Sequence, residues 1–68
     1  MREFWDYPYG VLVDCQTDGL RYMLDRVSYW GNSGWAYEVW GSSIIHVRFN
    51  DKDEAVYFAF MNDGVAFT

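Results

Sequence analysis

Two side chains in this sequence could together make a nucleophile: Cys15, its only thiol, and His46, its only imidazole. An imidazole within hydrogen-bond reach of a thiol takes its proton and leaves a reactive thiolate. The surrounding patterns argue against such a meeting. Cys15 follows Val11 and Val13 at a spacing of two, whereas His46 shares its alternation with Arg48. Successive strand residues point to opposite faces, so the two belong on opposite sides of a sheet. Cys15 therefore reads as a small core residue. His46 reads as an ordinary solvent-side histidine; its functional reading is an interface residue that pairs with Glu38 or Asp14 on neighbouring strands, which would raise its pKa.

The carboxylates offer other chemistry, and each option meets an obstacle. Asp14 with Glu38 is the kind of pair that cleaves glycosidic bonds. A domain this small has little room for a water-excluding cleft around them. Asp51, Asp53 and Glu54 could offer oxygens to calcium or magnesium, but the glycine and later glutamate of an EF-hand loop are missing. A capped helix start accounts for the same residues. The turn at Gly31 to Gly34 lacks the lysine and length of a phosphate loop. Trp40 and Tyr37 could stack on unpaired bases, yet the cationic groove that accompanies stacking is absent from the pattern and Tyr37 is assigned inward. No catalytic residue, cofactor or metal is expected, and the chain is read as not an enzyme.

Charge narrows the partners. With Lys and Arg at 5 against Asp and Glu at 10, the net charge is −5, which disfavours binding to a duplex phosphate backbone. It suits a partner with a basic surface, or imitation of a polyanion by Asp14, Asp18, Asp25, Glu38, Asp51, Asp53 and Glu54. A lone cysteine forms no internal disulfide and points to a reducing compartment. Neither a signal-peptide pattern nor an apolar run long enough for a bilayer is visible. Cytoplasmic localisation, host cytoplasm if the chain is viral, and no membrane partner are the expectations.

Those residues must be held by elements that the hydrophobic pattern outlines. Residues 35–40 and 44–49 alternate with a period of two around Gly41, Ser42 and Ser43, which predicts a hairpin. One row, Trp35, Tyr37, Val39, Ile45, Val47 and Phe49, is assigned to the core. The other row, with Glu38, His46 and Arg48, is assigned outward. Residues 9–15 predict an earlier strand, with Gly10 at its start or at a bulge. Thr17 or Asp18 is placed to cap a helix whose apolar stripe is Leu20, Met23, Leu24, Val27 and Trp30. Residues 31–34 end it.

After Phe49 the pattern is ambiguous. Asp51 and Glu54 suggest a capping box, with Ala55, Phe58 and Ala59 on one helical face. The alternation of Val56, Phe58 and Phe60 suggests a strand instead. The helix is preferred, with a last strand at 65–67. The element order is then β-α-β-β-α-β in one domain, 1–68, with 1–8 as a lead-in: a small ferredoxin-like α+β sandwich, two helices on one face of an antiparallel sheet. One helix on a meander of three or four strands is the alternative.

For a chain of this length, scaling gives roughly 11,700 Å² of surface unfolded and about 4,500 Å² folded. Four Trp, six Tyr and five Phe are hard to hide in so small a body. Some of them are expected at the surface as anchors for a partner. The sheet face away from the helices carries Leu12, Asp14, Ala36, Glu38, Trp40, Ile44, His46 and Arg48, an apolar centre with charges around it, as protein interfaces have. The candidate partner-binding residues are Leu12, Asp14, Glu38, Trp40, Ile44, His46 and Arg48. The function read from them is non-catalytic protein binding by a small viral or regulatory inhibitor or adaptor. A nucleic-acid mimic and a structural subunit of a larger assembly are the alternatives. The same face could instead be covered by Phe4, Trp5 and Tyr7 folding back, or by a second copy of the chain.

Overall fold

The structure, a computed structural model, describes residues 3–14 and 16–67, with the backbone alone at 16–18. A 3-10 turn at Phe4–Asp6 precedes β1 (Tyr9–Asp14), α1 (Gln16–Trp30), β2 (Trp35–Trp40), β3 (Ile44–Phe49), α2 (Lys52–Met61) and β4 (Val65–Phe67). The strands form one sheet in the order β2-β3-β1-β4, and every neighbouring pair is antiparallel. Both helices lie on one face, the ferredoxin-like arrangement expected from the element order. Cys15 lies outside the described residues.

Register explains why the faces segregate. Val11 pairs with Val47 and Val13 with Ile45 between β1 and β3, and Trp35 pairs with Phe49 between β2 and β3. All of these side chains point toward the helices. Val27 of α1 and Ala55, Phe58 and Ala59 of α2 meet them in a core that also holds Val11, Val13, Ile45, Val47 and Phe49. The rings of Phe49 and Phe58 sit 5.4 Å apart at its centre. Leu20, Met23 and Trp30 pack around it from α1, and Trp30 stacks on Tyr57 of α2. Leu24, expected on the same stripe, is only half-buried. The folded surface, 4624 Å², is close to the size expectation.

Residues 52–61 are helical despite their strand-like composition, because the apolar residues at 55, 58 and 59 are buried together while Val56, Tyr57 and Phe60 are left exposed. Asp51 caps the helix by accepting from the Asp53 amide at 2.8 Å. The reciprocal half of the expected capping box does not form. Glu54 instead accepts from the amide and hydroxyl of Ser33, at 3.0–3.2 Å. It thereby ties the turn after α1 to the start of α2. At the other end of α2 Arg26 donates to Asn62 Oδ1 at 2.8 Å, so α2 is tied at both of its ends to the C-terminal part of α1 and the turn that follows.

Two expectations are corrected. Thr17 and Asp18 fall within the first turn of α1, which begins at Gln16, rather than before it. Tyr37 and Val39 lie on the helix face but are exposed, 41% and 52%. The reason is their position on β2, an edge of the sheet, whereas α2 packs on β1, β3 and β4.

Candidate functional site

The opposite face is made by the alternate residues of the same strands. Gly10 pairs with Arg48, Leu12 with His46 and Asp14 with Ile44 across β1 and β3; Glu38 pairs with His46 and Trp40 with Ile44 across β2 and β3. The seven sequence-predicted partner residues are thus brought onto one face. β4 adds Val65 and Phe67 beside Leu12 and Gly10.

No helix covers this face, but part of the chain does. A short strap, residues 3–8, crosses it before entering β1. Asp6 donates its amide to the Glu3 carbonyl at 2.9 Å and accepts from the Glu3 amide at 2.9 Å, closing the 3-10 turn. This local closure presents Phe4 and Trp5 to the sheet. The Phe4 ring lies edge-on to His46 at 4.8 Å and the Trp5 ring at 5.6 Å. Trp40, at 4.6 Å, and Phe67, at 5.1 Å, complete the surround.

Arg48 fastens the strap. Its Nε donates to the Tyr7 carbonyl at 2.6 Å and its Nη2 to the Pro8 carbonyl at 3.0 Å. The guanidinium also lies over the Trp5 ring at 5.1 Å. Its charge is met by main-chain dipoles and aromatic faces. The third nitrogen, Nη1, is 3.2 Å from His46 Nε2.

That contact decides the state of the imidazole. A guanidinium can only donate, so Nε2 must accept, and the proton of the neutral ring sits on Nδ1. Nδ1 is buried and has no hydrogen-bond partner. Burial is the main cause that pulls the His46 pKa below its ordinary 6.5; Arg48 adds to the fall, and Glu38 opposes it.

The expectation of a solvent-side His46 with a raised pKa is therefore reversed. His46 is fully buried and Arg48 is 7% exposed, so neither is at the surface as a partner residue would be. The Glu38 carboxylate accepts the indole N–H of Trp40 at 3.0 Å. The other predicted residues remain accessible: Asp14, Glu38 and Trp40 are exposed, and Leu12 and Ile44 are half-buried.

Gly10 makes the burial possible. It pairs in register with both neighbours rather than forming the bulge considered from sequence. A Cβ there would come within 2.8 Å of His46 Nε2 and 2.9 Å of both Arg48 Nη1 and the Phe67 ring. Cover by Phe4 and Trp5 folding back was the alternative considered from sequence and is the one found, whereas Gly10 and Phe67 were missed as parts of this site. A glycine inside a strand pattern is a sign of close approach, and this was the one available signal.

What reaches solvent is an aromatic patch. Trp5 is 63% exposed and Trp40 41%, with Phe67 and Val65 also exposed. Glu3, Asp6, Asp14 and Glu38 are exposed around it. Asp14 and Glu38 stand on strands separated by β3 and two residues apart along them, which places them roughly 12 Å apart at the backbone, at about 4.8 Å per strand and about 3.4 Å per residue. Among the described residues no three His, Asp or Glu side chains converge as a metal site would require, and no helix is long and apolar enough to cross a membrane. Comparison of the chain with protein-family models, curated proteins and solved structures finds no match. The chain is a small α+β domain with an aromatic patch at its surface.

Proposed function

We propose that this domain is a non-catalytic protein-interaction module, and that it docks through the patch formed by Trp5, Trp40, Phe67 and Val65. The observation that carries the reading is the orientation of Trp40: a large side chain, substantially exposed, yet held in place by the Glu38 carboxylate. An anchor that is already ordered loses little side-chain entropy on binding. Aromatic anchors of this kind contribute most of the affinity in many interfaces.

The charges favour one class of partner. The exposed charged side chains around the patch are mostly carboxylates, with Lys52 sharing a hollow with Phe67 at the β4 edge, while Arg48 is buried beneath the strap. A protein with an apolar hollow rimmed by lysine or arginine is complementary to that surface. Action as an inhibitor or adaptor of a cellular protein in the cytoplasm, viral or regulatory, fits this size and surface. Polyanion mimicry has less support. Asp14 and Glu38 lie toward the Ile44 end of the sheet, whereas Asp51 and Asp53 stand beyond Phe49 at the start of α2.

The test is a photo-crosslinker placed at position 65, in the same patch with Trp40 left intact, with a control at Phe60 on the helix exterior. A partner captured from position 65, competed by the unlabelled domain, weakened by added salt and lost on Trp5→Ala with an unchanged circular dichroism spectrum, supports the reading. Equal capture from position 60 overturns it, as does capture indifferent to Trp5.

A further inference from the structure

Four observations converge on the strap. It is held to the sheet by an arginine whose acceptors are the Tyr7 and Pro8 carbonyls. The same arginine donates to His46, a fully buried imidazole with an unpartnered nitrogen. Phe4 and Trp5 rest on that imidazole. Trp5, finally, is part of the patch proposed above for docking, so this inference rests on that reading for its biological consequence.

We propose that residues 3–8 are a proton-released strap: one proton taken up at His46 Nε2 turns its hydrogen bond with Arg48 into a repulsion, and the strap lifts, dismantling the docking surface. The proton goes to the only lone pair the ring offers. Once it is there, two N–H groups and two positive charges face each other at 3.2 Å among buried side chains, where their interaction is stronger than in solvent. Arg48 must move or the imidazolium must reach water. Either motion acts on the strap, since Arg48 holds its exit and the imidazole supports its rings.

Neighbouring acids compensate only in part. On β2, Glu38 lies directly across from His46 but is engaged by the Trp40 indole. On β1, Asp14 is opposite Ile44, one pair further along, and on the strap Asp6 holds the Glu3 amide beside the exposed Glu3 carboxylate. The β4 residues Val65, Ala66 and Phe67 bring no titratable side chain. The fall in His46 basicity agrees with this inventory, since burial and Arg48 outweigh Glu38.

The sheet need not open with the strap. β1 is paired on both sides, with β3 and β4, and its other face belongs to the helical core. The strap also touches β2, and the Tyr7 ring lies beside Gly34, but no residue of Phe4–Asp6 is buried and none joins the core. It is therefore the element of lower local stability.

The test follows the ¹⁵N-labelled domain by NMR from about pH 7.5 to about pH 5, the range in which histidine titrates and most carboxylates do not. The expected result is that the Trp5 indole and the Phe4–Asp6 amides move to disordered-chain positions with one midpoint below 6.5, shared with the His46 ring, while β1 and β3 amides stay protected. His46→Gln, whose side-chain oxygen can accept from Arg48 without titrating, should keep the strap seated throughout. The proposal is overturned if His46 titrates with the strap unmoved, if strap and sheet loosen together, if His46→Gln releases the strap at the same pH, or if the His46 midpoint lies above 6.5. The wild-type titration decides the matter even where His46→Gln does not fold. Because the strap itself is observed, a failed switch leaves the docking reading intact, and a failed docking experiment leaves this titration unaffected.

Discussion

The two faces of the sheet come from the same strands by the same alternation, yet they are sealed in different ways. Under the helices, Val11, Val13, Ile45, Val47 and Phe49 meet apolar side chains, and the contact is non-directional burial. Across the sheet, His46 and Arg48 are buried just as completely, or nearly so, but by directional contacts: carbonyl acceptors, a guanidinium–imidazole hydrogen bond and ring edges. The first kind of seal is insensitive to pH. The second depends on one protonation state and on a strap of a few residues. Polar burial on the open face therefore gives that side a lability that the helix face lacks.

Substitutions should separate the two seals. The largest effect is expected from Phe58→Ala, which empties the space beside Phe49 and should lower stability by about 3–5 kcal/mol, read from the urea midpoint. In so small a domain that can abolish the folded state. Gly10→Ala comes next: its Cβ collides with His46, Arg48 and Phe67, and overpacking of this kind costs about 1–3 kcal/mol. Its signature should be a displaced strap, seen as faster proteolysis or hydrogen exchange at residues 3–7, with the helices unaffected. If Gly10→Ala leaves the strap in place, the open face is less tightly filled than the geometry indicates.

On the helix face, Leu24→Ala sharpens the comparison from inside. Leu24 is half-buried, so its truncation should fall below the range of about 2–5 kcal/mol that a fully buried leucine would give. Val27→Ala, at the buried centre of the same stripe, should be the more damaging of the two. A reversed order in denaturant melts would show that α1 is rotated from the position described.

A smaller effect should come from pH. The folded-state pKa of His46 lies below 6.5, so the unfolded chain binds the proton more readily. The contribution of neutral His46 is full above 6.5 and diminishes as pH falls toward the folded-state value. Urea midpoints should decline over that window in the wild type and stay flatter in His46→Gln. The smallest stability effect is expected for Trp40→Ala, about 1 kcal/mol or less, because the side chain is substantially exposed. Its loss should appear in partner binding instead, and a melting temperature lowered by more than about 10 °C would place Trp40 in the structural seal rather than at the docking surface.

Much of this was legible in the residue pattern because local periodicity encodes direction. Alternation in 35–40 and 44–49 assigned both rows of the hairpin to their faces, and the spacing of Ala55, Phe58 and Ala59 outweighed strand-like residue types. The open face was identified correctly as a set of residues. Its accessibility was not. Whether Arg48 is a surface charge or a buried clasp depends on Tyr7 and Pro8, distant in sequence, and on Gly10 and Phe67 leaving and filling space around it. Nothing in the neighbourhood of Arg48 reports those positions.

By itself, then, the sequence determined the element order, the two rows of each strand, the acidic balance and the excess of aromatic residues over what a small core can hold. These follow from short-range backbone preference and from counting. Only the tertiary structure decided that Glu54 clamps Ser33, that Tyr37 and Val39 stand beyond the helical cover, and that Phe4 and Trp5 close over His46. Each depends on which remote groups the sheet order brings within a few ångströms, and hydrogen bonds, sterics and desolvation act only at that range.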